Sequence, residues 1–248
     1  MKKLLIVCVV VCITFLSKGL FADGWDSAKL NKEVDLALAD DAIVQLKVDV
    51  GAGDLRITGK EGQSEIAVIA KVFGEELSDD DYILSLEKQD DTAVLIAQFK
   101  NDSYNNARID LEITMPPSLA LLVDDRSGHI IIESLENGVA INDRSGDIEL
   151  SDITGLVKIE DRSGDLLAKD LRGDVFINDR SGEIQLKDVA GDVNIDDSSG
   201  DIRAKNVSGI VTVADSSGDI NINGAADFQL KSDSSGDVSL KNIKRHLK

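Results

Sequence analysis

The residues that could carry chemistry in this sequence are carboxylates that recur in one short motif. The motif Asp-(Arg or Ser)-Ser-Gly occurs seven times at a constant interval of 18 residues, and in six copies the next residue is Asp or Glu. Carboxylate and backbone carbonyl oxygens in repeated turns are ligands that Ca²⁺ prefers. The motif is therefore the first candidate site, and its copies begin at Asp125, Asp143, Asp161, Asp179, Asp197, Asp215 and Asp233.

Two interpretations of these carboxylates are open. In the first, the leading Asp of each copy accepts hydrogen bonds from the amides and the Ser hydroxyl of its own turn. In the second, the carboxylates hold calcium ions, although the Gly-Gly-x-Gly-x-Asp loop of calcium-binding β-rolls is absent. The first is preferred, and no metal ion or other cofactor is firmly predicted. Arg at the second position of four copies can offset neighbouring carboxylates, so the calcium candidates belong to the three Ser copies and are Asp197, Asp201, Asp215, Asp219, Asp233 and Asp237.

Residue types needed for catalysis are scarce. The chain has two histidines, His129 and His246, and its two cysteines, Cys8 and Cys12, lie in an apolar N-terminal segment. No Ser-His-Asp arrangement or His-rich metal motif is present in the sequence. Enzymes that cleave acidic polysaccharides on β-helices build a cleft from long loops, whereas the turns of this repeat are short and uniform. We therefore predict a protein that is not an enzyme and has no catalytic residues.

The same repeat also predicts the strands that position these turns. When the repeat is numbered from its Asp, positions 6, 8, 15 and 17 are apolar, as in Ile148, Leu150, Val157 and Ile159. Alternation of this kind is the period of a strand with one buried face. A left-handed helix of hexapeptides would need an apolar residue at every sixth position, which the sequence lacks. The predicted fold class is all-β, a parallel β-solenoid of 18-residue coils with two short strands per coil and an N-terminal β cap.

The alternation also predicts which side chains of the turn face the interior. Continuing from positions 15 and 17, position 1 should face inward, position 2 outward and position 3 inward again. Position 5, occupied by residues such as Asp147 and Glu183, should be exposed. The leading Asp of each turn is thus expected to be partly shielded and the following Arg to lie in solvent.

The segment before the first regular copy is predicted to have a different structural role from the repeats. Residues 23–115 contain alternating apolar runs separated by charged, turn-rich segments, which indicate strands joined by exposed loops. We assign them as an N-terminal β-strand region that caps the stack, because bare strand edges invite pairing with other chains. Residues 116–248 are assigned as the solenoid repeats. The segment Gly51-Ala52-Gly53-Asp54-Leu55-Arg56-Ile57 resembles half a repeat, so the solenoid is expected to begin before its regular part.

Residues 1–22 have the layout of a secretory signal peptide. Met1, Lys2 and Lys3 form a positive start, residues 4–16 are almost wholly apolar, and Ala22 offers a small residue for cleavage. The apolar run is too short for a stable membrane anchor. The protein is expected to be exported to the periplasm, the cell surface or the extracellular space, with no membrane insertion of the mature chain.

The formal net charge of −19 narrows the class of partner. Binding nucleic acid requires a concentrated set of Lys and Arg contacts, so nucleic acid is not an expected partner. A charge this negative keeps an exported protein soluble. The expected partner is an envelope or surface ligand, either a protein or a glycan.

Several segments resemble a known family. Besides residues 51–57, these are Ile113-Thr114-Met115-Pro116-Pro117, which leads into Leu121-Leu122-Val123, and the repeated Ser-Gly-Asp-(Ile or Val) turns. They resemble a bacterial family of candidate adhesins of unknown function over roughly residues 45–241. The resemblance implies a parallel β-solenoid that is exported or associated with the envelope, and it carries over no catalytic residues.

These observations together predict the class of function. The protein is expected to be a non-catalytic, exported envelope or cell-surface protein that acts as an adhesin-like binding or scaffolding module. The alternative is a calcium-dependent, β-roll-like structural or binding module, which calcium-dependent stability would favour. The third hypothesis is a polysaccharide-processing β-helix enzyme, which a cleft built from loops would favour.

Export gives the first testable prediction. The mature protein should begin near Asp23, because cleavage by signal peptidase follows a small residue such as Ala22. N-terminal sequencing of the protein purified from its native cells measures this directly. A cytoplasmic chain that retains Met1 would contradict the prediction.

Overall fold

The computed structural model describes residues 29–39, 42–101 and 107–245, so the predicted signal peptide and His246 lie outside the described residues. Within these ranges the chain forms strands and turns and no helix. None of the described residues therefore forms a helix long and apolar enough to cross a membrane.

Twenty strands are found in the described residues. The strands that precede the regular copies are β1 (Leu30–Ala39), β2 (Gln45–Val50), β3 (Leu55–Gly59), β4 (Glu65–Phe73), β5 (Tyr82–Gln89), β6 (Thr92–Phe99) and β7 (Arg108–Met115). The strands of the repeats are β8 (Ala120–Asp124), β9 (Ile130–Leu135), β10 (Val139–Asn142), β11 (Ile148–Thr154), β12 (Val157–Glu160), β13 (Leu166–Arg172), β14 (Val175–Asn178), β15 (Ile184–Val189), β16 (Val193–Asp196), β17 (Ile202–Val207), β18 (Ile210–Ala214), β19 (Ile220–Ser232) and β20 (Val238–Arg245).

The strands form two parallel ladders. The first ladder has the order β7, β3, β9, β11, β13, β15, β17, the first part of β19 and β20. The second has the order β6, β2, β8, β10, β12, β14, β16, β18 and the last part of β19. In the regular repeats, residues 18 positions apart are partners, as Ile148 and Leu166 are. The predicted parallel β-solenoid with two strands per 18-residue coil is confirmed.

The inward side chains of the two ladders meet in one apolar core. Positions 6, 8, 15 and 17 are buried in coil after coil, as Ile184, Leu186, Val193 and Ile195 are in one of them. Each aliphatic side chain stacks on its copy about 4.8 Å away, so the same apolar burial recurs at every coil. Stability therefore accumulates coil by coil, as it does in other repeat proteins.

A left-handed residue occupies position 10 of the repeat. Four consecutive copies have φ between +53° and +58°, and these are Asp152, Asp170, Asp188 and Asn206. Positions 9 and 11 pair with their copies in the ladder, whereas position 10 does not. Asp and Asn tolerate this backbone conformation better than most residues. The extra residue shifts the alternation, so that position 11 faces the core although it lies three residues after position 8.

Close contact between coils explains the glycine of each Asp-x-Ser-Gly turn. Gly146 has a φ of +140°, and a Cβ atom placed on it would lie 1.8 Å from the carbonyl oxygen of Gly128 in the preceding coil. Gly164 stands in the same relation to Gly146. Only glycine combines this φ with so close an approach. Any side chain here would push the coils apart.

Chain order and stacking order differ at the N-terminal end. Strands β2 and β3 continue the register of the repeats, because Leu46 pairs with Leu121 and Leu55 with Ile130. On their other side lie β6 and β7, which come later in the sequence. The half repeat that begins at Gly51 is thus part of a coil, and the ladders run without a break across residues 115 and 116.

Antiparallel strands extend both ladders at this end. β4 pairs with β7 and β1 pairs with β4, while β5 pairs with β6. Their inward side chains, such as Ile66, Val68 and Tyr82, belong to the common core. The two extensions also contact each other through β1 and β5. At the opposite end, β20 and the last part of β19 are the outermost of the described strands.

The inward and outward assignment can be tested with two neighbouring substitutions. Ile184→Asp should lower the free energy of unfolding by about 4 kcal/mol or more, because it places an unpaired carboxylate in a fully buried aliphatic column. Gln185→Asp is the matched control, since this exposed residue lies beside Arg203, and its effect should stay within about 0.5 kcal/mol. Urea denaturation followed by circular dichroism measures both. Equal losses would show that the assignment is wrong.

Candidate functional site

Each Asp-x-Ser-Gly turn is closed by its leading Asp. In the second copy, Oδ1 of Asp143 accepts the backbone N–H groups of Arg144 at 2.6 Å and of Ser145 at 3.2 Å. The Ser hydroxyl bonds to the preceding coil and not to the leading Asp of its own turn, since Oγ of Ser163 donates to the carbonyl oxygen of Arg144. The turn-capping interpretation therefore holds for the amides. The same pair of N–H bonds occurs at Asp125, Asp161, Asp179 and Asp215.

The other oxygen of each leading Asp, Oδ2, lies in the interior. Six of these residues are at most 4% exposed, and Oδ2 has no hydrogen-bond partner among the described residues. Because successive coils are about 4.8 Å apart, the six carboxyl groups follow one another along the stack. In the seventh copy, Asp233 is half-buried, and its Oδ1 is the oxygen without a partner among the described residues. We name the six residues the Asp column, and they are Asp125, Asp143, Asp161, Asp179, Asp197 and Asp215.

Burial raises the pKa of every carboxyl group in the Asp column. It brings the pKa of Asp125, Asp161 and Asp197 to about 7, and the charge of neighbouring Asp residues adds to the effect. The N–H bonds from the turn act in the opposite direction. The pKa values of Asp143 and Asp215 are raised too, with burial as the largest cause, and so is that of Asp179. Burial therefore favours the neutral form of these carboxyl groups, and the charge of each group affects the titration of its neighbours.

The calcium candidates at position 5 lie on the outer side of the turn. Asp219 and Asp237 are exposed, and Asp201 is half-buried. Oδ1 of Asp201 accepts the backbone N–H of Asp219, and Oδ1 of Asp219 accepts that of Asp237, each at 3.0 Å. These carboxylates thus connect successive coils.

The structure does not bring the two sets of carboxylates into one cluster. In the described ranges, no group of three or more His, Cys, Asp or Glu side chains is placed to hold a metal ion. Calcium binding therefore stays the alternative hypothesis for the six candidates, Asp197, Asp201, Asp215, Asp219, Asp233 and Asp237.

The four arginines at position 2 form a second column. All four side chains are exposed, and we name Arg126, Arg144, Arg162 and Arg180 the Arg column. None of their guanidinium groups lies within ion-pairing distance of a carboxylate in the described part of the chain. Their charge does not offset the Asp column, since the pKa of Asp161 beside Arg162 rises as far as that of Asp197 beside Ser198.

A cavity of about 350 Å³ lies at the turn edge, where the coil of β2 and β3 meets the first regular repeats. His129 lines it, with Nε2 3.4 Å from Oε1 of Glu149 and its backbone N–H donated to Asp54. Arg108 lines it as well and stacks its guanidinium over the ring of Phe73 at 4.1 Å. This cavity was not predicted from the sequence, because its residues come from segments far apart in the chain.

Comparison with known proteins shows the family of this chain. Residues 43–248 match the family model described as Toastrack DUF4097. The chain belongs to this family. No curated protein matches this chain.

Three solved structures are similar to this Toastrack chain. A candidate adhesin from Bacteroides fragilis NCTC 9343 has a TM-score of 0.52 at 15% identity, covering 86% of this chain and 97% of that chain. A candidate cell adhesion protein from Clostridium sporogenes ATCC 15579 has a TM-score of 0.36 at 13% identity, covering 85% and 98%. A candidate adhesin from Parabacteroides merdae ATCC 43184 has a TM-score of 0.33 at 12% identity, covering 88% and 97%. The likeness to the Bacteroides fragilis structure concerns the fold alone, because the identity is low.

The predicted directions of the turn side chains agree with the structure at positions 1 and 2 and differ at position 3. Ser145 and Ser163 are exposed and do not face inward, because the turn at the following glycine breaks the strand alternation. The unpartnered Oδ2 atoms were not predicted. The sequence signal that could have indicated them is the absence of any repeated donor among the inward positions.

The Asp column makes stability depend on pH. The unfolded chain has an Asp pKa of about 3.9, whereas that of folded Asp161 is about 7, so the folded state binds these protons more tightly. The contribution of this carboxyl group to the free energy of unfolding is complete below the pKa of the unfolded chain. It is lost as the pH rises through the pKa of the folded state. The free energy of unfolding should be lower at pH 8 than at pH 5, by about 1.4 kcal/mol for each unit of raised pKa that is titrated. Urea denaturation at both pH values measures the difference.

A pair of Asn variants separates the Asp column from general charge repulsion. Asp161→Asn should reduce the pH dependence, because the amide keeps an acceptor for the turn N–H groups and has no proton to lose. Asp170→Asn removes the same charge from an exposed position of the same coil and should leave the dependence unchanged. Equal changes in the two variants would count against the Asp column as the cause.

Proposed function

We propose that this Toastrack protein is a non-catalytic module that binds or scaffolds at the cell envelope after export. The observation that carries the proposal is the regular outer surface of the stack, on which each outward position forms a column. Position 9, for example, presents Lys169, Lys187 and Lys205 as exposed neighbours in register. A rigid stack of this kind suits a partner that is itself extended or repetitive.

The outer faces are mixed in polarity. Leu122 and Phe176 are exposed on the second ladder and Leu167 on the first, and each is paired with at least one polar residue of a neighbouring coil. Scattered apolar side chains are normal on a soluble surface and do not form a docking patch. A polar envelope ligand, either a protein or a glycan, therefore fits these faces best.

The non-catalytic role is supported by the shape of the turns. A polysaccharide-processing enzyme would need long loops to build a cleft, whereas residues 155–156 and 161–165 are typical of the short connections between repeat strands. The Bacteroides fragilis structure, which shares the fold, is named a candidate adhesin, and this name agrees with surface binding. The exported location follows from the sequence of residues 1–22 and belongs to the same proposal.

A calcium-dependent module is the second candidate. One observation favours it, namely the unpartnered Oδ2 atoms of the Asp column. A calcium ion takes six to eight oxygen ligands, and the position 5 carboxylates already bond to backbone amides of the next coil. Burial favours the neutral form of the column, which is a weaker calcium ligand than the ionised form, so the calcium-independent module is preferred.

Binding to isolated envelopes tests the proposal. The mature protein should cosediment saturably with envelopes from its native cells, and EDTA should leave the binding unchanged. Gln185→Asp should bind as the wild type does, while Ile184→Asp should not bind, because binding requires the intact stack. The control protein is an unrelated one of equal net charge.

Two outcomes would count against the preferred function. Wild-type binding no stronger than that of the control protein would overturn the proposal. Binding that is lost in EDTA and restored by calcium would select the calcium-dependent module.

A further inference from the structure

The Arg column is a concentration of positive charge in an acidic protein. Its four guanidinium groups are exposed, and no carboxylate of the described residues pairs with them, although the chain has 46 acidic and 27 basic residues. The turn backbone on either side keeps the 18-residue register, so the Cα atoms of the four arginines follow one another at about 4.8 Å and span about 14 Å. Stacking like charges without partners is unfavourable unless an anion binds them.

The chemistry of the column suits carboxylate groups on a sugar chain. A guanidinium group offers planar, paired donors that match a carboxylate. Beside the arginines lie Ser127, Ser145, Ser163 and Ser181, of which the last three are exposed. The hydrogen of the Ser163 hydroxyl is donated to the carbonyl oxygen of Arg144, so its oxygen serves as an acceptor. Each coil of the column therefore combines a guanidinium group with a hydroxyl oxygen, and a uronic acid residue carries the complementary carboxylate and hydroxyl groups. The rise of one sugar in an extended glycan is close to the distance between neighbouring strands.

Carboxylates on both flanks decide the shape of the ligand. Exposed Asp147 and Asp165 lie on one side of the column, while half-buried Asp124 and exposed Glu160 lie on the other. A planar anionic surface, such as a membrane, would meet these carboxylates as well as the arginines. A single chain that follows the column would contact the arginines alone.

We infer that the Arg column binds one linear acidic polysaccharide, lying along the turn edge with its carboxylates on successive arginines. This inference rests on the proposed binding function and names its ligand class. The column ends where Ser198 replaces Arg at position 2 in the next coil, so the site has four arginines.

Loss-of-function variants test the inference with polygalacturonate as the probe. The wild type should bind it, and the affinity should fall with rising salt as counterions are released. Replacing all four residues of the Arg column by Gln should weaken binding on the order of tenfold or more. The matched control replaces four exposed lysines that do not lie in one column by Gln, which gives the same net charge, and should change the affinity less than about threefold; these are Lys29, Lys47, Lys60 and Lys231. Equal losses in the two variants would overturn the inference.

A gain-of-function variant gives an independent test. Ser198→Arg adds a fifth arginine to the column and should tighten binding to polygalacturonate by a few-fold. Ser208→Arg adds the same charge at an exposed position away from the column and should have a smaller effect. Equal gains would show that only net charge matters and would contradict the inference.

Two further measurements distinguish other outcomes. Arginine-dependent binding to phosphatidylglycerol vesicles that is stronger than binding to polygalacturonate would replace the glycan with a membrane surface. If the wild type binds isolated envelopes but not polygalacturonate, only this inference is wrong. If it binds neither, the proposed function is wrong as well.

Discussion

Backbone hydrogen bonds between successive coils hold each residue beside the copy that lies 18 positions away. The N–H of Asp143 donates to the carbonyl oxygen of Glu160, and that of Ile148 donates to Asp165, with the same pattern in later coils. Because this register is kept, any property of one repeat position becomes the property of a column. Aliphatic positions build the core, glycine positions allow the coils to approach, and charged positions form rows.

The fixed register is energetically unfavourable at the Asp column, because it buries carboxyl groups. One carboxylate oxygen closes each turn by accepting two amides, and the geometry of that bond directs the other oxygen inward. In a single exposed turn, water would solvate the second oxygen. Stacking removes the water from six turns at once, and the raised pKa values are the result. Protonation is far less costly than burial of an ionised carboxylate, so the column is tolerated.

Charges that are neighbours in sequence are separated in space by the same turn. Position 1 places an acid inside, position 2 places a base in solvent, and position 5 places an acid where it bonds the next coil. Asp143, Arg144 and Asp147 thus belong to three columns with different partners. This separation leaves the arginines available to an external anion in a protein whose net charge is strongly negative.

The period of 18 and the apolar alternation were sufficient to predict two parallel strands per coil, because side-chain direction alternates along a strand. They also predicted the inward Asp and the outward Arg. Alternation does not hold where a strand ends, so the exposed Ser145 and the left-handed Asp152 had to be seen in the structure. Only the tertiary structure decided that β2 and β3 stack between later strands and that Oδ2 has no partner. Both depend on contacts between segments far apart in sequence, about which local spacing carries no information.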